Sequence, residues 1–491
     1  MSEDQQFSIP SEVTRVTKTL EGAGFEAYLV GGCVRDLLLD KEPKDWDVTT
    51  NAHPEKIQEL FEETYYNNNF GTVGVVNEET EDERLKVVEV TPYRTEHGYT
   101  DSRRPDVVKF SEKLEDDLQR RDFTVNAIAL DSKGHIVDLY KGQEDLKDKW
   151  LKTVGNPDER LAEDALRMLR AIRLAAELGF GISQETFEAI ARNVDNLANI
   201  SKERIRDELI RIIMSKQPME ALLHMKQLGM LKYTFPDLER SIGVEQDRSH
   251  IYDVFEHLLR ALQHAADKDY PLEIRLAALF HDISKPETKR FSHETNVHTF
   301  YGHEVVGARV TKKALQDLRF PVKTVEKIVK LVRWHMFFAD PDQISLSAVR
   351  RMIANVGEED IWDLMNLRIC DRIGMGRPKE QPLRYRKYKA MVEEALRDPV
   401  SVGMLKIDGG TVMELTGERP GPRIGYTLHA LLDEVLEDPS KNEAEYLEKR
   451  AVELYQLSEE ELKSLGEQGK LKRDEADEAE IAKIKEKHSV S

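Results

Sequence analysis

Short runs of apolar and polar residues alternate through the first 150 residues of the chain. Six runs combine β-branched and aromatic residues with turn residues at their ends: AYLVGG, WDVTT, GTVGVV, LKVVEVTPY, FTVNAIAL and HIVDLY. Such runs are typical of strands, and helical spacing occurs between them. The pattern predicts a small α/β or mixed α+β domain over residues 1–150.

Beyond Trp150 the hydrophobic period changes. From DERLAEDALRMLRAIRLAAEL onward, apolar residues recur every three or four positions, which is typical of helices. This period predicts that the rest of the chain is helical. Prolines interrupt the helical pattern, and we expect all-α domains over 151–240, 241–380 and 381–460. The last segment, 461–491, is charged and poor in large apolar groups, and we expect a tail there.

Composition narrows the class of protein. The 491 residues are 40% hydrophobic and 33% charged, with no apolar run of about 18 residues, so we expect no membrane span. The N-terminus lacks the pattern of a secretory signal, and two cysteines cannot form a disulfide framework, which predicts a cytoplasmic protein. The net charge of −20 argues against a general nucleic-acid coat but allows one local basic groove.

The segment DWDVTT contains two aspartates with one residue between them. In a strand, Asp45 and Asp47 project from the same face, while Trp46 and Val48 point into the core. Paired carboxylates repel each other unless a hard cation lies between them, and Mg²⁺ combines few carboxylates with phosphate oxygens. The alternative interpretation is a solvated turn.

A glycine pair precedes these aspartates. Gly31 and Gly32 lie between an apolar strand and a helix, where backbone N–H groups suit a triphosphate, and Arg35 adds a cation one turn later. Glu89 alternates with valines in LKVVEVTPYR and provides a third carboxylate on the exposed face of a strand. Together these residues predict a nucleotide and metal site, against the alternative of an ordinary turn and an exposed strand glutamate.

Several motifs, in order, carry a resemblance to a known family. They are GGCVRDLLLDKEPKDWDVTT, NFGTVGVV, VEVTPYR, DLQRRDFTVNAIALD and ERLAEDALRMLRAIRLAAELGF. The chain resembles the class II tRNA nucleotidyltransferases and bacterial poly(A) polymerases over residues 25 to about 215. By resemblance, Gly32, Arg35, Asp45 and Asp47 hold metal and triphosphate. The motif RRDFTVNA resembles the family's sugar- and phosphate-contacting motif, which implies Arg121, Asp122 and Asn126.

The helical segment EDALRMLRAIR suggests how a base is chosen. Three positions apart on a helix, Asp164 can accept from an amino group while Arg167 donates to a ring nitrogen. Cytosine and adenine offer that pair of groups, and uracil and guanine offer the reverse. The alternative is an exposed salt bridge. The family resemblance implies base selection here and extends it to Glu163, Arg170 and Arg173.

Two features separate this chain from its poly(A)-adding relatives. Those commonly carry an arginine-rich strand in place of NFGTVGVV and a proline in place of Ala165. The loop RTEHGYTDSRRPDVVKF is complete, whereas CC-adding relatives have a defective one. The resemblance therefore favours CCA addition to the 3′ end of tRNA from CTP and ATP, with Mg²⁺ as cofactor. Addition of A alone, of CC alone, or of poly(A) stays as an alternative.

A second group of candidate ligands follows along successive predicted helices. The vicinal pair His281 and Asp282, with His257 before it and Asp371 after it, resembles the HD phosphohydrolase domain. His303 and His335 are additional candidates. Imidazole and carboxylate ligands suit a divalent transition metal, against the alternative of core histidines. Hydrolytic activity stays open, since such a metal can be structural.

The sequence leaves other functional classes open. One alternative is a protein that acts chiefly as an HD phosphohydrolase, and another is a noncatalytic RNA-binding scaffold. Basic residues in SKERIRDELIRIIMSK could follow RNA phosphates, although salt-bridged helix surface is the favoured interpretation for most of them. They are Lys202, Arg204, Arg206 and Arg211.

Overall fold

In the computed structural model, residues 7–66, 71–97, 107–246, 251–293, 296–337 and 344–467 are described. The chain divides into two compact units, Met1–Thr234 and Phe235–Ser491. Parts of three sequence predictions lie outside the described residues: positions 69 and 70 of NFGTVGVV, the middle of the loop at 98–106, and the tail from 468 onward. Within the part of the chain that the structure describes, no helix combines the length and hydrophobicity needed to cross a membrane.

The first unit is built around a seven-stranded mixed sheet. Its strands are β1 (Ala27–Val30), β2 (Asp47–Thr50), β3 (Thr64–Tyr66), β4 (Val73–Val76), β5 (Val87–Pro92), β8 (Ile128–Leu130) and β9 (Ile136–Asp138). The order across the sheet is β3-β4-β5-β2-β1-β8-β9, in which β2 and β5 are parallel and the other neighbours are antiparallel. Each of the six predicted strand segments contains one of these strands.

Two strands that the pattern did not predict form a ribbon beside the sheet. They are β6 (Arg94–His97) and β7 (Val107–Phe110), antiparallel with Arg94 opposite Phe110. Two-residue strands β10 (Trp150–Leu151) and β11 (Gly181–Ile182) pair in parallel. The other unpredicted strand of the first unit, β3, reads TYY and lies at the sheet edge, where a short segment has too few residues to show alternation.

Helices cover the sheet and continue beyond it. Those of the first unit are α1 (Ser11–Gly22), α2 (Gly32–Leu38), α3 (Pro54–Leu60), α4 (Leu114–Gln119), α5 (Gly142–Asp148), α6 (Pro157–Glu163), α7 (Leu166–Leu178), α8 (Gln184–Asn193), α9 (Lys202–Ile213), α10 (Pro218–Gln227) and α11 (Leu231–Thr234), with 3₁₀ turns at Thr124–Asn126 and Val194–Asn199. Helix α7 packs against α9 and α10, and its apolar side chains, among them Leu169 and Ile172, are buried.

The second unit is helical, apart from one hairpin. Its elements are α12 (Pro236–Glu239), α13 (Val254–Asp267), α14 (Leu272–Phe280), α15 (Lys285–Thr288), β12 (Arg290–Ser292), β13 (Val297–Thr299), α16 (His303–Asp317), α17 (Val322–Trp334), α18 (Leu346–Val356), α19 (Ile361–Gly374), α20 (Leu383–Ala395), α21 (Gly409–Thr416), α22 (Pro422–Glu437), α23 (Ala444–Tyr455) and α24 (Glu459–Glu467), with 3₁₀ turns at Val402–Met404 and Pro439–Lys441. The predicted fold class, a mixed α/β domain followed by helices, is confirmed.

Candidate functional site

The pairing of β2 with β5 brings two of the predicted carboxylates side by side. Asp47 lies directly opposite Glu89 in the parallel register. Their neighbours Val48 and Val90 are buried on the other face of the sheet. Asp45 differs from the prediction, because β2 begins at Asp47 and Asp45 lies in the exposed bend that precedes it. The two aspartates therefore meet across a bend and not along one strand.

The electrostatic environment of Asp47 is unfavourable for its charge. Burial and the nearby charge of Asp45 raise the pKa of Asp47 to about 7, although the Arg121 guanidinium opposes this rise. Glu89 adds to the repulsion. Such a group is stabilised as a carboxylate by a cation. The donors are oxygens of carboxylates, which are the ligands that Mg²⁺ prefers, so these residues fit that ion.

The predicted glycine pair lies directly against these charged groups. Gly31 has a φ of 82°, which other residues rarely adopt. A Cβ at Gly31 would lie 3.1 Å from Arg121 Nη1 and 3.4 Å from Asp47 Oδ2, and a Cβ at Gly32 would lie 3.7 Å from Asp45 Oδ1. The absence of side chains therefore lets the turn between β1 and α2 approach both carboxylates and the arginine.

Four of the predicted nucleotide-binding residues form one hydrogen-bonded chain. Arg35 Nη1 donates to Asn126 Oδ1 at 2.8 Å, and Asn126 Nδ2 donates to Asp122 Oδ1 at 3.2 Å. Arg170 donates to Asp122 Oδ2 through Nε at 2.8 Å and through Nη2 at 2.5 Å. Burial opposes ionisation of Asp122, but Arg170 holds the pKa of Asp122 below its usual range. Asp122 thus joins α2 to α7 and does not point freely at a ligand.

One residue of this site escaped the sequence prediction. Asp117 on α4 is fully buried and accepts from Arg120 Nη2 at 2.5 Å and from Arg121 Nη2 at 3.0 Å. It thereby orients Arg121, which faces Gly31 and Asp47. The spacing in DLQRR, three and four residues, is the signal that could have identified it.

The segment predicted to select the base differs from the prediction at one position. Helix α6 ends at Glu163 and α7 begins at Leu166, so Asp164 lies in the break between them and not on one helix with Arg167. Asp164 Oδ1 accepts from the N–H of Leu166 at 3.0 Å. An aspartate side chain that accepts a hydrogen bond from a backbone N–H two or three residues later favours the start of a helix over the helix interior.

Asp164 and Arg167 are partnered separately. Arg204 Nη2 donates to Asp164 Oδ2 at 2.7 Å. Arg167 Nη1 forms an ion pair with Glu163 and donates to the carbonyl of Arg160 at 2.8 Å. Asp164 and Arg167 are therefore held by other partners, and not by the salt bridge with each other that the alternative interpretation expected.

The remaining basic candidates are engaged in ion pairs or hydrogen bonds. Arg173 is buried, and burial lowers its pKa to about 10, with Glu208 Oε2 at 3.3 Å from its Nε. On α9, Arg206 pairs with Asp207 and Arg211 pairs with Glu177. Lys202 Nζ donates to the Tyr233 carbonyl. Most of the basic residues on α9 therefore form salt bridges on the helix surface.

The six candidate ligands of the second unit meet in one buried cluster. Ligand atoms of His257, His281, Asp282 and Asp371 all lie within 4.8 Å of one another. The same holds for a second set formed by Asp282, His303 and His335. All six residues are at most 6% exposed. Among the described residues, these are the two groups in which at least three such ligand atoms approach this closely.

Backbone carbonyls fix the orientation of three imidazoles. Nδ1 of His281, His303 and His335 lies 2.9, 2.7 and 2.7 Å from the carbonyl oxygen three residues earlier. A proton on each Nδ1 leaves Nε2 free to face the cluster as a metal ligand. Gly374 allows the close approach of His257, since a Cβ there would lie 2.7 Å from the His257 carbonyl oxygen.

Two cations contact the carboxylates of this cluster. Lys285 Nζ lies 2.5 Å from Asp282 Oδ2 and donates to Gln246 at 2.6 Å. Arg368 Nη1 donates to Asp371 Oδ2 at 2.5 Å. Both carboxylates therefore stay ionised despite burial, and their pKa values are held well below the usual range. Ionised carboxylates and imidazoles with a free Nε2 are a donor set that fits a divalent transition metal.

Three family models match successive parts of the chain. Residues 27–152 match the poly A polymerase head domain, 179–242 match a probable RNA and SrmB-binding site of polymerase A, and 254–373 match the HD domain. A CC-adding tRNA nucleotidyltransferase of Thermus thermophilus is 36% identical over 83% of this chain and 89% of its own length. The chain belongs to the tRNA nucleotidyltransferase and poly(A) polymerase family.

Other members of the family match over different lengths. A CCA-adding enzyme of Levilactobacillus brevis is 31% identical over 87% of this chain and 94% of its own length. A CCA-adding enzyme from Lactobacillus helveticus is 49% identical over an aligned region that covers 40% of this chain and 48% of the relative's length. A crystal structure of the Bacillus stearothermophilus CCA-adding enzyme in complex with CTP has a TM-score of 0.67 at 26% identity, covering 93% of this chain and 98% of that chain.

Proposed function

We propose that this chain adds C, C and A in that order to the 3′ end of tRNA from CTP and ATP, releasing pyrophosphate. The observation that carries the proposal is the register of Asp47 opposite Glu89, beside Arg121 and the glycine turn at Gly31. Relatives named as CCA-adding enzymes, including one in complex with CTP, support it. A cytoplasmic location belongs to the same proposal.

The geometry gives each residue of the site a role in this reaction. Asp45 and Asp47 would hold Mg²⁺, which supplies charge neutralisation at the phosphates and lowers the pKa of the attacking hydroxyl. Arg35 and Arg121 bind the triphosphate and orient its α-phosphate for in-line attack. The terminal ribose O3′ forms the new bond to that phosphorus, its proton passes to solvent, and the bond between the α-phosphorus and the oxygen that bridges to the β-phosphate breaks, releasing pyrophosphate.

Base choice belongs to the pair Asp164 and Arg167. Asp164 keeps acceptor capacity, because a carboxylate has about four acceptor sites and the Leu166 N–H and Arg204 occupy two of them. Arg167 presents its guanidinium from the first turn of α7, where Glu163 orients it. Arg204 acts as a positioning residue in this scheme, since it holds the Asp164 carboxylate beside the end of α7.

Asp164→Ala is expected to lower kcat/KM for CTP and ATP by about one to two orders of magnitude, as for loss of a buried hydrogen bond to a charged group. Relative incorporation of UTP should rise, because the repulsive partner of its O4 is gone. Single-nucleotide addition rates with each nucleoside triphosphate check this. Asp207→Ala is the matched control, since it removes an exposed carboxylate of α9 that pairs with Arg206 and has no part in this scheme. Unchanged preference for C and A over U in Asp164→Ala would move base selection elsewhere.

The proposed activity separates from its alternatives in one assay. Transcripts of tRNA that end at the discriminator base or after CC are offered with CTP, ATP or both, and product lengths are read. A CCA-adding enzyme extends the first by three nucleotides and the second by one. Extension by two, as expected from the name of the Thermus thermophilus relative, or by one A only, contradicts the proposal. Long A tails indicate a poly(A) polymerase.

A second candidate function is hydrolysis of phosphoesters by the HD region. The observation that favours it is the buried cluster of His257, His281, Asp282 and Asp371, with the His281 imidazole oriented through its Nδ1. Water would displace an alkoxide or phosphate from phosphorus. The domain boundaries near 150, 240 and 380 are part of the same proposal.

The double variant His281→Ala, Asp282→Ala is expected to lose bound transition metal and any phosphoesterase activity, while nucleotide addition is retained. The reason is that both residues belong to the cluster in the second unit, whereas the proposed Mg²⁺ ligands belong to the first unit. Metal content and both activities are measured on the same preparation. His298→Ala, in the hairpin strand β13, is the control. Equal loss of both activities in a folded variant would refute independent sites.

A further inference from the structure

An exposed tyrosine lies in the same cross-strand row as the carboxylates of the first unit. Asp47 on β2 is opposite Glu89 on β5. Glu89 is opposite Gly74 on β4, and Gly74 is opposite Tyr65 on β3. Residues that pair across neighbouring strands project from the same face of a sheet, and the next residue along each strand projects from the other face. Tyr65 therefore belongs to the face that carries both carboxylates, and Tyr66 belongs to the opposite face.

The glycine between Glu89 and Tyr65 determines where the tyrosine ring lies. A Cβ at Gly74 would be 2.5 Å from Tyr65 Cε1 and 2.8 Å from Tyr65 Oη, so the outer end of the ring occupies the space that a side chain would need. Gly74 is one strand spacing, about 5 Å, from Glu89. The ring thus extends from the sheet edge toward the carboxylates, and Tyr65 is still 43% exposed.

The two sides of Asp47 in the sheet carry different groups. The proposed triphosphate ligands lie toward β1 and β8, because Gly31 follows β1 while Arg121 and Asn126 precede β8. Strands β5, β4 and β3 lie on the other side of β2. Phosphoryl transfer needs the attacking and leaving oxygens roughly in line across phosphorus. With the triphosphate on the β1 side, the attacking O3′ approaches from the side of Glu89.

We propose that Tyr65 stacks against the 3′-terminal base of the tRNA acceptor strand and thereby holds its ribose O3′ beside Glu89. An unpaired base stacks on an aromatic ring whatever its identity. Such a contact suits a terminus whose last base changes with each nucleotide added. The inference rests on the proposed CCA addition. A single exposed aromatic ring is ordinary on a protein surface, so the register with the carboxylates and the position of the ring over Gly74 carry the proposal.

Tyr65→Leu is expected to lower kcat/KM for tRNA about tenfold or more, the effect of losing one base–aromatic stack. KM for CTP should stay unchanged. Leucine still covers Gly74 but has no ring face, and Tyr65→Phe, which keeps the ring without the hydroxyl, should restore kcat/KM to near the parent value. The matched control is Tyr66→Leu, since Tyr66 is 52% exposed on the opposite face. Initial rates of CMP addition to a transcript that ends at the discriminator base measure these effects.

Three results of these rate measurements would overturn the proposal. Unchanged kcat/KM for tRNA in Tyr65→Leu would show that the ring makes no contact with the acceptor strand. An equal loss in Tyr65→Phe would assign the contact to the hydroxyl, and an equal loss in Tyr66→Leu would assign it to the strand as a whole. A rise in KM for CTP alone would place the ring against the incoming nucleotide.

A second measurement needs neither a variant nor an active enzyme. A tRNA transcript with 4-thiouridine as its 3′-terminal nucleotide is bound to the parent protein without nucleoside triphosphate and irradiated. Mass spectrometry of the crosslinked peptide should locate the adduct on Tyr65, and the absence of an adduct there would overturn the proposal. An adduct on Tyr65 in a protein that adds no nucleotide would keep the stacking contact and reject only CCA addition, so the two proposals fail separately.

Discussion

Replacing Asp47 by asparagine is expected to lower the rate of nucleotidyl transfer by about three orders of magnitude or more. The carboxylate is a proposed Mg²⁺ ligand, and metal-ion charge stabilisation is worth several kcal/mol, with each 1.4 kcal/mol a factor of about ten. Single-turnover addition of CMP to a tRNA transcript measures the effect. Glu42→Gln is the control. Glu42 is an exposed carboxylate in the connection between α2 and β2, and its replacement should leave the rate unchanged.

The same substitution separates a catalytic loss from a folding defect. The pKa of Asp47 is raised in the folded protein, from 3.8 to about 7, so the stability that this group contributes is lost as pH rises through that interval. Asparagine carries no charge and avoids this loss. In EDTA at pH 8, the Tm of Asp47→Asn should therefore equal or exceed that of the parent. A lower Tm together with lost activity would point to a structural role.

Asp122→Ala is expected to lower the free energy of unfolding of the first unit by about 3 kcal/mol. Asp122 is 8% exposed and accepts from Arg170 and Asn126, and removal of one partner from a buried pair leaves the other charge uncompensated. Denaturant unfolding measures this. Nucleotide addition should fall as well, because Arg35 depends on Asn126 for its position.

The matched control is an ion pair of the same types at the surface. Asp158→Ala removes the partner of Arg192, and both side chains are about half exposed, so the expected change is below about 1 kcal/mol. Similar losses in the two variants would contradict the anchoring role of Asp122. A stability loss without loss of addition would separate the fold from the proposed triphosphate contacts of Arg35.

The sequence predicted the sheet well where strands alternate and poorly where they are short. β5 follows the expected alternation, and Glu89 lies on the face predicted for it. The strand β3 and the ribbon of β6 and β7 were not predicted, because tertiary pairing supports them more than local preference does. The completeness of the loop between β6 and β7 stays a prediction, since residues 98–106 lie outside the described ranges.

The candidate sites show the same limit at the level of side chains. Residue types and spacing indicated Asp45 and Asp47, and the resemblance to the HD domain indicated the candidate ligands of the second unit. The partners of those residues were not predictable. Arg204 lies 40 positions from Asp164, and only the packing of α9 against α7 brings them together. Their roles in binding and catalysis stay predictions.

The parallel pairing of β2 with β5 also has a consequence for synthesis of the chain. Parallel neighbours need a long connection, and here it spans α3, β3 and β4 before Glu89 reaches Asp47. During translation, the proposed site of nucleotide addition therefore cannot form until β5 has left the ribosome and paired with β2. Because closing such a distant contact is slow, the nascent first unit has an interval in which its helices can form but no nucleotide can be held.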